Sequence, residues 1–256
     1  MADALAAFLP DGVNLSAAAL LVVASFFTSA LTASFGVGGG IAMLALLGLF
    51  VPVAVLIPVH GAVQLGSNTG RAWFQRAFIR WDIAGPFIAG SVIGAFFGVF
   101  LVVQLPDALM KIVLGAFILL ITWTNVAGFG RLTKTGLTIA SSLLALISMM
   151  VGATGPLVSP ILAQFIPDNR KALVATHAAS MVFQHGLKII VFGLAGFSFG
   201  QWLPMVAAMI ATGYLGTQYG SALLDKMPEA AFRRWFKIGI SLLALDMLRR
   251  GVMALG

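Results

Sequence analysis

Apolar residues run along this chain in blocks of about twenty, with short polar breaks between them. Blocks at 15–34, 83–103, 107–127, 203–224 and 229–250 each have the length of a helix that crosses a bilayer. Two longer stretches, about 36–78 and 136–197, break that rule. Each is interrupted by a glycine cluster and then a proline: "GVGGG" (Gly36–Gly40) with Pro52, and "GATGP" (Gly152–Pro156) with Pro167. The short apolar pieces 41–50 and 157–166 either cross or re-enter, so the total is about eight to ten membrane segments. The expected fold is an all-α polytopic integral membrane protein with glycine-broken helices.

The two irregular stretches read as copies. Gly36 and Gly39 align with Gly152 and Gly155, Pro52 with Pro167, and His60 with His177. Asn68 and His185 follow their histidines by the same interval, as do Arg71 and Lys188. "QLP" (Gln104–Pro106) matches "KMP" (Lys226–Pro228). The predicted organisation is a first transmembrane repeat over 14–127, a linker over 128–135 and a second repeat over 136–250. Internal repeats are a signature of secondary transporters, whose sites lie where the repeats meet.

Composition removes the main alternatives. Of the 256 residues 60% are hydrophobic and 9% charged, against about a quarter charged in a soluble domain. The net charge of +7 is scattered along the chain, whereas nucleic-acid binding needs a basic patch, so no nucleic acid is expected as a partner. The basic residues set no orientation, because Arg233 and Arg234 lie at one end of the last apolar block and Arg249 and Arg250 at the other. There is no cysteine, which excludes disulfides and thiol chemistry. Asp3 and Asp11 with no early base do not make a signal-peptide n-region, so the first apolar block is expected to be retained.

The candidate chemistry lies on two stripes. His60, Gln64, Asn68 and Arg71 recur at helical spacing, as do His177, Met181, His185 and Lys188. A charge inside the bilayer is costly, so it faces a cavity or a partner and counts as functional by default. The eight acidic residues all fall near segment ends or in loops, leaving Lys188 and Arg71 without a carboxylate. An external anion would satisfy both. The glycine clusters supply the complement, because half-helices starting there would point their positive N-terminal ends inward. Thr154 and Pro156 stand where the first half has Gly38 and Gly40, which leaves fewer free glycine positions in the second half.

Blander roles compete at each position. The pairs Gly94/Gly98 and Gly216/Gly220 fit helix–helix contacts better than ligand sites, and Gln64 and Asn68 could bond neighbouring helices. Arg71 could snorkel to the interface. A zinc site lacks ligands at usable spacing, no Ser–His–Asp set lies at one depth, and "GVGGG" is not a dinucleotide fingerprint. No cofactor and no metal are expected.

These duplicated elements resemble the TauE/SafE sulfite exporter family, also called the toluene-sulfonate uptake permease family. "THAASMVFQHGLKIIVFGLAGF" (Thr176–Phe197) carries the second-half likeness. The resemblance spans about Thr28 to Arg250. It implies a carrier in the bacterial inner membrane, not an enzyme, for a sulfur-containing anion such as sulfite, thiosulfate or an organosulfonate. Lys188 and Arg71 are expected to neutralise the anion, and Gln64, Asn68 and Gln184 to donate hydrogen bonds. The backbone of Gly38, Gly39 and Gly40 and of Thr154 and Gly155 would cap it. His60, His177 and His185 are the groups in the membrane that titrate near neutral pH. Proton coupling would run through them, or transport is uncoupled and follows the membrane potential. The expected partners are the small anionic substrate and the lipid bilayer, with a homodimer left open.

Overall fold

The computed structural model describes residues 9–35, 38–101, 106–124, 132–223 and 229–255. Gly36, Val37 and the first half of the expected linker, 128–131, lie outside them. Ten α-helices occupy the described residues: α1 (Leu15–Phe35), α2 (Gly39–Phe50), α3 (Val53–Phe74), α4 (Trp81–Leu101), α5 (Asp107–Trp123), α6 (Lys134–Val151), α7 (Gly155–Ala163), α8 (Arg170–Leu194), α9 (Leu203–Leu223) and α10 (Glu229–Met253). The short apolar pieces 41–50 and 157–166 are α2 and α7. Lys134 and Thr135, assigned to the linker from sequence, belong to the first turn of α6. Thr133 caps that turn by accepting a hydrogen bond from Gly136 N–H, which fixes the helix start earlier than apolar length indicated.

The starts and stops follow local chemistry. Asn14 accepts from Ala17 N–H and opens α1. Asn169 accepts from Ala172 N–H and opens α8 just after the Pro167 turn. α6 stops at Gly152, whose φ of +82° is a left-handed conformation that a side chain would strain. Gly38, at φ +109°, precedes α2 in the same way.

The segments Leu15–Ser34, Trp81–Phe100 and Lys134–Val151 are long and apolar enough to cross a membrane. By contrast α2, with 12 residues, and α7, with 9, are about 18 and 14 Å long, well short of a hydrocarbon core of about 30 Å. Large side chains such as Phe96, Phe97, Phe100, Leu215 and Tyr219 project outward, as suits a surface solvated by lipid.

Helices pair across the chain's midpoint: α1 lies along α9, α4 along α6, α5 along α10 and α3 along α8. Lipid provides little hydrophobic drive for helix association, so small residues and hydroxyls make the contact. A Cβ on Gly216 would lie 2.0 Å from Phe26 O, and one on Gly220 2.2 Å from Ala30 O. On the other side, a Cβ on Gly94 would lie 2.0 Å from Ser142 O and one on Gly90 2.0 Å from Thr138 O. Ser25 Oγ donates to Met209 O at 2.6 Å, Thr212 Oγ1 to Val22 O at 2.7 Å and Ser34 Oγ to Gly220 O at 2.8 Å, stitching α1 to α9. Thr138 Oγ1 donates to Pro86 O at 3.1 Å between α6 and α4.

Two groups of four helices result. One holds α1, α2, α3 and α9; the other holds α6, α7, α8 and α4. Each group takes three consecutive helices from one half of the chain and a fourth from the other half. They meet where α3 packs on α8.

Candidate functional site

The short helices α2 and α7 bring their N-termini to one cavity between α3 and α8. Gly38, Gly40 and Ile41 line it from the first break, and Ala153, Gly155 and Pro156 from the second. From α3 come His60, Gln64 and Asn68; from α8 come His177, Met181 and His185; Thr32 of α1 completes the wall. The empty volume, mouth included, is about 370 Å³.

The two histidines at equivalent positions make equivalent bonds. His60 Nε2 lies 2.9 Å from Gly40 O, and His177 Nε2 lies 3.2 Å from Gly155 O. A carbonyl oxygen only accepts, so each Nε2 carries the hydrogen and donates. Each imidazole thus ties the long helix that follows a break to the first turn of the short helix that leads it. The Nδ1 atoms of His60, His177 and His185 are buried and have no hydrogen-bond partner.

The helix ends differ in what they offer. Neither Gly38 nor Thr154 makes a side-chain cap, so orphan N–H groups remain at both ends. At α2 the first N–H bonded among the described residues is that of Ala42, which donates to Gly38 O, and Gly39, Gly40 and Ile41 precede it. At α7, Leu157 and Val158 both donate to Thr154 O and Pro156 has no N–H, which leaves Gly155. At the second break the proline thus removes one N–H donor that the first break keeps at Gly40.

Of the residues singled out from sequence, Gly38, Gly40, His60, Gln64, Asn68, Gly155, His177 and His185 line the cavity together. The other five stand behind it. Gly39 is pressed on α1, where a Cβ would lie 1.8 Å from Thr28 O. Thr154 Oγ1 donates to Gln184 Oε1 at 3.2 Å, and Gln184 Nε2 is buried without a partner. Arg71 is 1% exposed, so it does not snorkel. Its Nη1 donates to Asn68 Oδ1 at 3.3 Å, while Nε and Nη2 have no partner. Lys188 is fully buried, and its Nζ donates to Gly152 O at 2.6 Å.

Among the described residues, the ion pairs are Arg80–Asp82, Asp107–Lys111 and Asp246 with Arg249 and Arg250, and none reaches Arg71 or Lys188. Sequence reasoning missed Thr32, Ile41, Ala153, Pro156 and Met181 as lining residues. Met181 lay on the recognised α8 stripe at the position matching Gln64 and was passed over for its apolar side chain. Thr32 carries no signal in sequence, because its place follows only from the α1–α2 approach.

The model of the family "Sulfite exporter TauE/SafE" matches residues 21–247. The chain belongs to the TauE/SafE family. A similar protein of Comamonas testosteroni, named "Probable inner membrane transporter protein TsaS", is 27% identical over 206 residues, which cover 77% of each chain. No solved structure matches. For this TauE/SafE chain, residues 21–247 take in every lining residue of the cavity.

Proposed function

We propose that the chain carries a small sulfur-containing anion, such as sulfite, thiosulfate or an organosulfonate, across the bacterial inner membrane, and that it works as an exporter and not as an enzyme. The observation that carries this reading is the meeting of two uncapped helix N-termini at one small cavity, beside two buried bases that no carboxylate neutralises among the described residues. A helix N-terminus presents unpaired N–H groups and about half a positive charge. The anion then supplies the negative charge that the protein lacks there.

The cavity draws one wall from α1, α2 and α3 and the other from α7, α8 and the preceding break. Two repeats, over 14–127 and 136–250, would place their broken helices about a shared axis, with access alternating as the two four-helix groups shift along α3 and α8. The test is flux of labelled sulfite, thiosulfate and a short alkyl sulfonate in proteoliposomes holding the purified chain. Saturating flux of at least one of them is expected. Flux that grows linearly with concentration would mean a channel-like pathway, and no flux of any of the three would overturn the reading.

A further inference from the structure

Sequence spacing makes Arg71 and Lys188 equivalent, but their surroundings are not. Lys188 Nζ is already bonded at 2.6 Å to Gly152 O, the carbonyl of the residue that ends α6. Ser148 Oγ reaches the same oxygen at 3.4 Å. The stem of Lys188 runs over Gly61 of α3, where a Cβ would lie 2.9 Å from Lys188 Cδ. A second base of α8 does similar work at the other break: Arg170 Nη2 donates to Ser34 O, near the end of α1, at 2.9 Å. The carbonyl ends of α1 and α6 are thus both held by bases of α8, and a base is favourable at a helix C-terminus.

Arg71 is different. It is as deeply buried as Lys188, yet two of its nitrogens, Nε and Nη2, have no partner. Its one bond goes to Asn68, which lines the cavity. The N-terminus of α2 opens on the same cavity, where a Cβ on Gly40 would lie 3.4 Å from Gln64 Oε1, one helical turn before Asn68. A buried guanidinium with unmet donors is expensive to keep unless something compensates it.

We propose that the two bases divide the work: Arg71, acting through Asn68 with the α2 N-terminus, receives the charge of the anion, and Lys188 is a positioning residue that locks the α6–α7 break. The anion then sits toward the first half of the chain and not on the midline. This rests on the anion-carrier reading above, and the experiment separates the two.

Purified wild type, Lys188→Met, Lys188→Gln and Arg71→Gln are compared by melting temperature without anion and by the upward shift that sulfite or an alkyl sulfonate adds. A lock removed lowers the anion-free melting temperature, and a neutral donor restores it. Lys188→Met should therefore melt several degrees lower, while Lys188→Gln should lie nearer wild type and keep the anion-induced shift. Arg71→Gln should melt at or above wild type and bind the anion at least about tenfold more weakly, as for the loss of a charge-assisted hydrogen bond. Two outcomes overturn the proposal: Lys188→Met that melts no lower but loses the anion shift, or Arg71→Gln that binds as wild type does. If wild type itself shows no shift with either anion, the carrier reading fails, while the melting temperatures of the Lys188 variants still decide the lock.

Discussion

The imidazole of His60 meets that of His185 edge to face, with ring centroids 5.9 Å apart and planes at 75°. This contact joins α3 to α8 across the cavity. It leaves the two rings sharing one small space with His177, each with an unpartnered Nδ1. Since Nε2 of His60 and of His177 already donates to a carbonyl, a further proton on either ring must enter at Nδ1, and an anion in the cavity would favour it. Anion flux should follow an imposed pH gradient, in the direction of the proton. His60→Gln and His177→Gln should each weaken that dependence. Flux that ignores the gradient in wild type would leave uniport.

Neighbouring glycines should respond in opposite ways. In Gly39→Ala the new Cβ would lie 1.8 Å from Thr28 O and 2.2 Å from Thr32 Oγ1, so α2 must move off α1. A loss of about 3 kcal/mol is expected, as for overpacking against rigid backbone. In Gly40→Ala the nearest atom is Gln64 Oε1 at 3.4 Å. That variant should fold normally and change anion affinity. Thermal unfolding and anion titration of the pair decide it.

The α4–α6 seam depends on backbone contact. Gly94→Leu would drive a side chain into Ser142 O, which already lies 2.0 Å from the position of a Cβ. The same holds for Gly216→Leu against Phe26 O. Both variants should fail to give monodisperse protein in detergent by size-exclusion chromatography. Gly85→Ala, where a Cβ meets nothing within 4 Å, should match wild type or be more stable by about 0.5–1 kcal/mol.

Adjacent residues on α3 report on which contact has to move. Gly66 faces Ile210 of α9, within one four-helix group, and Leu65 faces Gly186 of α8, in the other. The chain has no native cysteine, so introduced pairs react without background. A short bifunctional maleimide across Gly66→Cys and Ile210→Cys should leave flux intact. The same reagent across Leu65→Cys and Gly186→Cys should stop it. Equal effects from both would count against motion along α3 and α8.

Much of the architecture was legible because membrane solvation imposes it. A bilayer demands apolar helices of a set length, so the long blocks could be read directly. Glycine clusters followed by proline marked the breaks, since few other residues interrupt a helix in that way. The stripes on α3 and α8 followed from helical period, and six of their eight positions line the cavity, the exceptions being Arg71 and Lys188; among those six Met181 alone lacks a polar side chain to mark it. What failed to show was partner choice. Lys188 and Arg71 hold matching places in sequence, and nothing in their spacing says that one is bonded to Gly152 O and the other left with unmet donors.

The sequence by itself determined an all-α membrane protein, the sites of its two helix breaks and the polar residues able to meet an anion, because hydropathy, helical period and glycine or proline chemistry act locally along the chain. Tertiary structure decided that α9 joins the first three helices and α4 the sixth to eighth, that Thr32 and Met181 enter the cavity wall, and that the second base is spent on a helix end. Those outcomes depend on which surfaces fit at backbone distance, as where Gly216 meets Phe26 O and Gly94 meets Ser142 O, and such contacts join positions far apart in the chain.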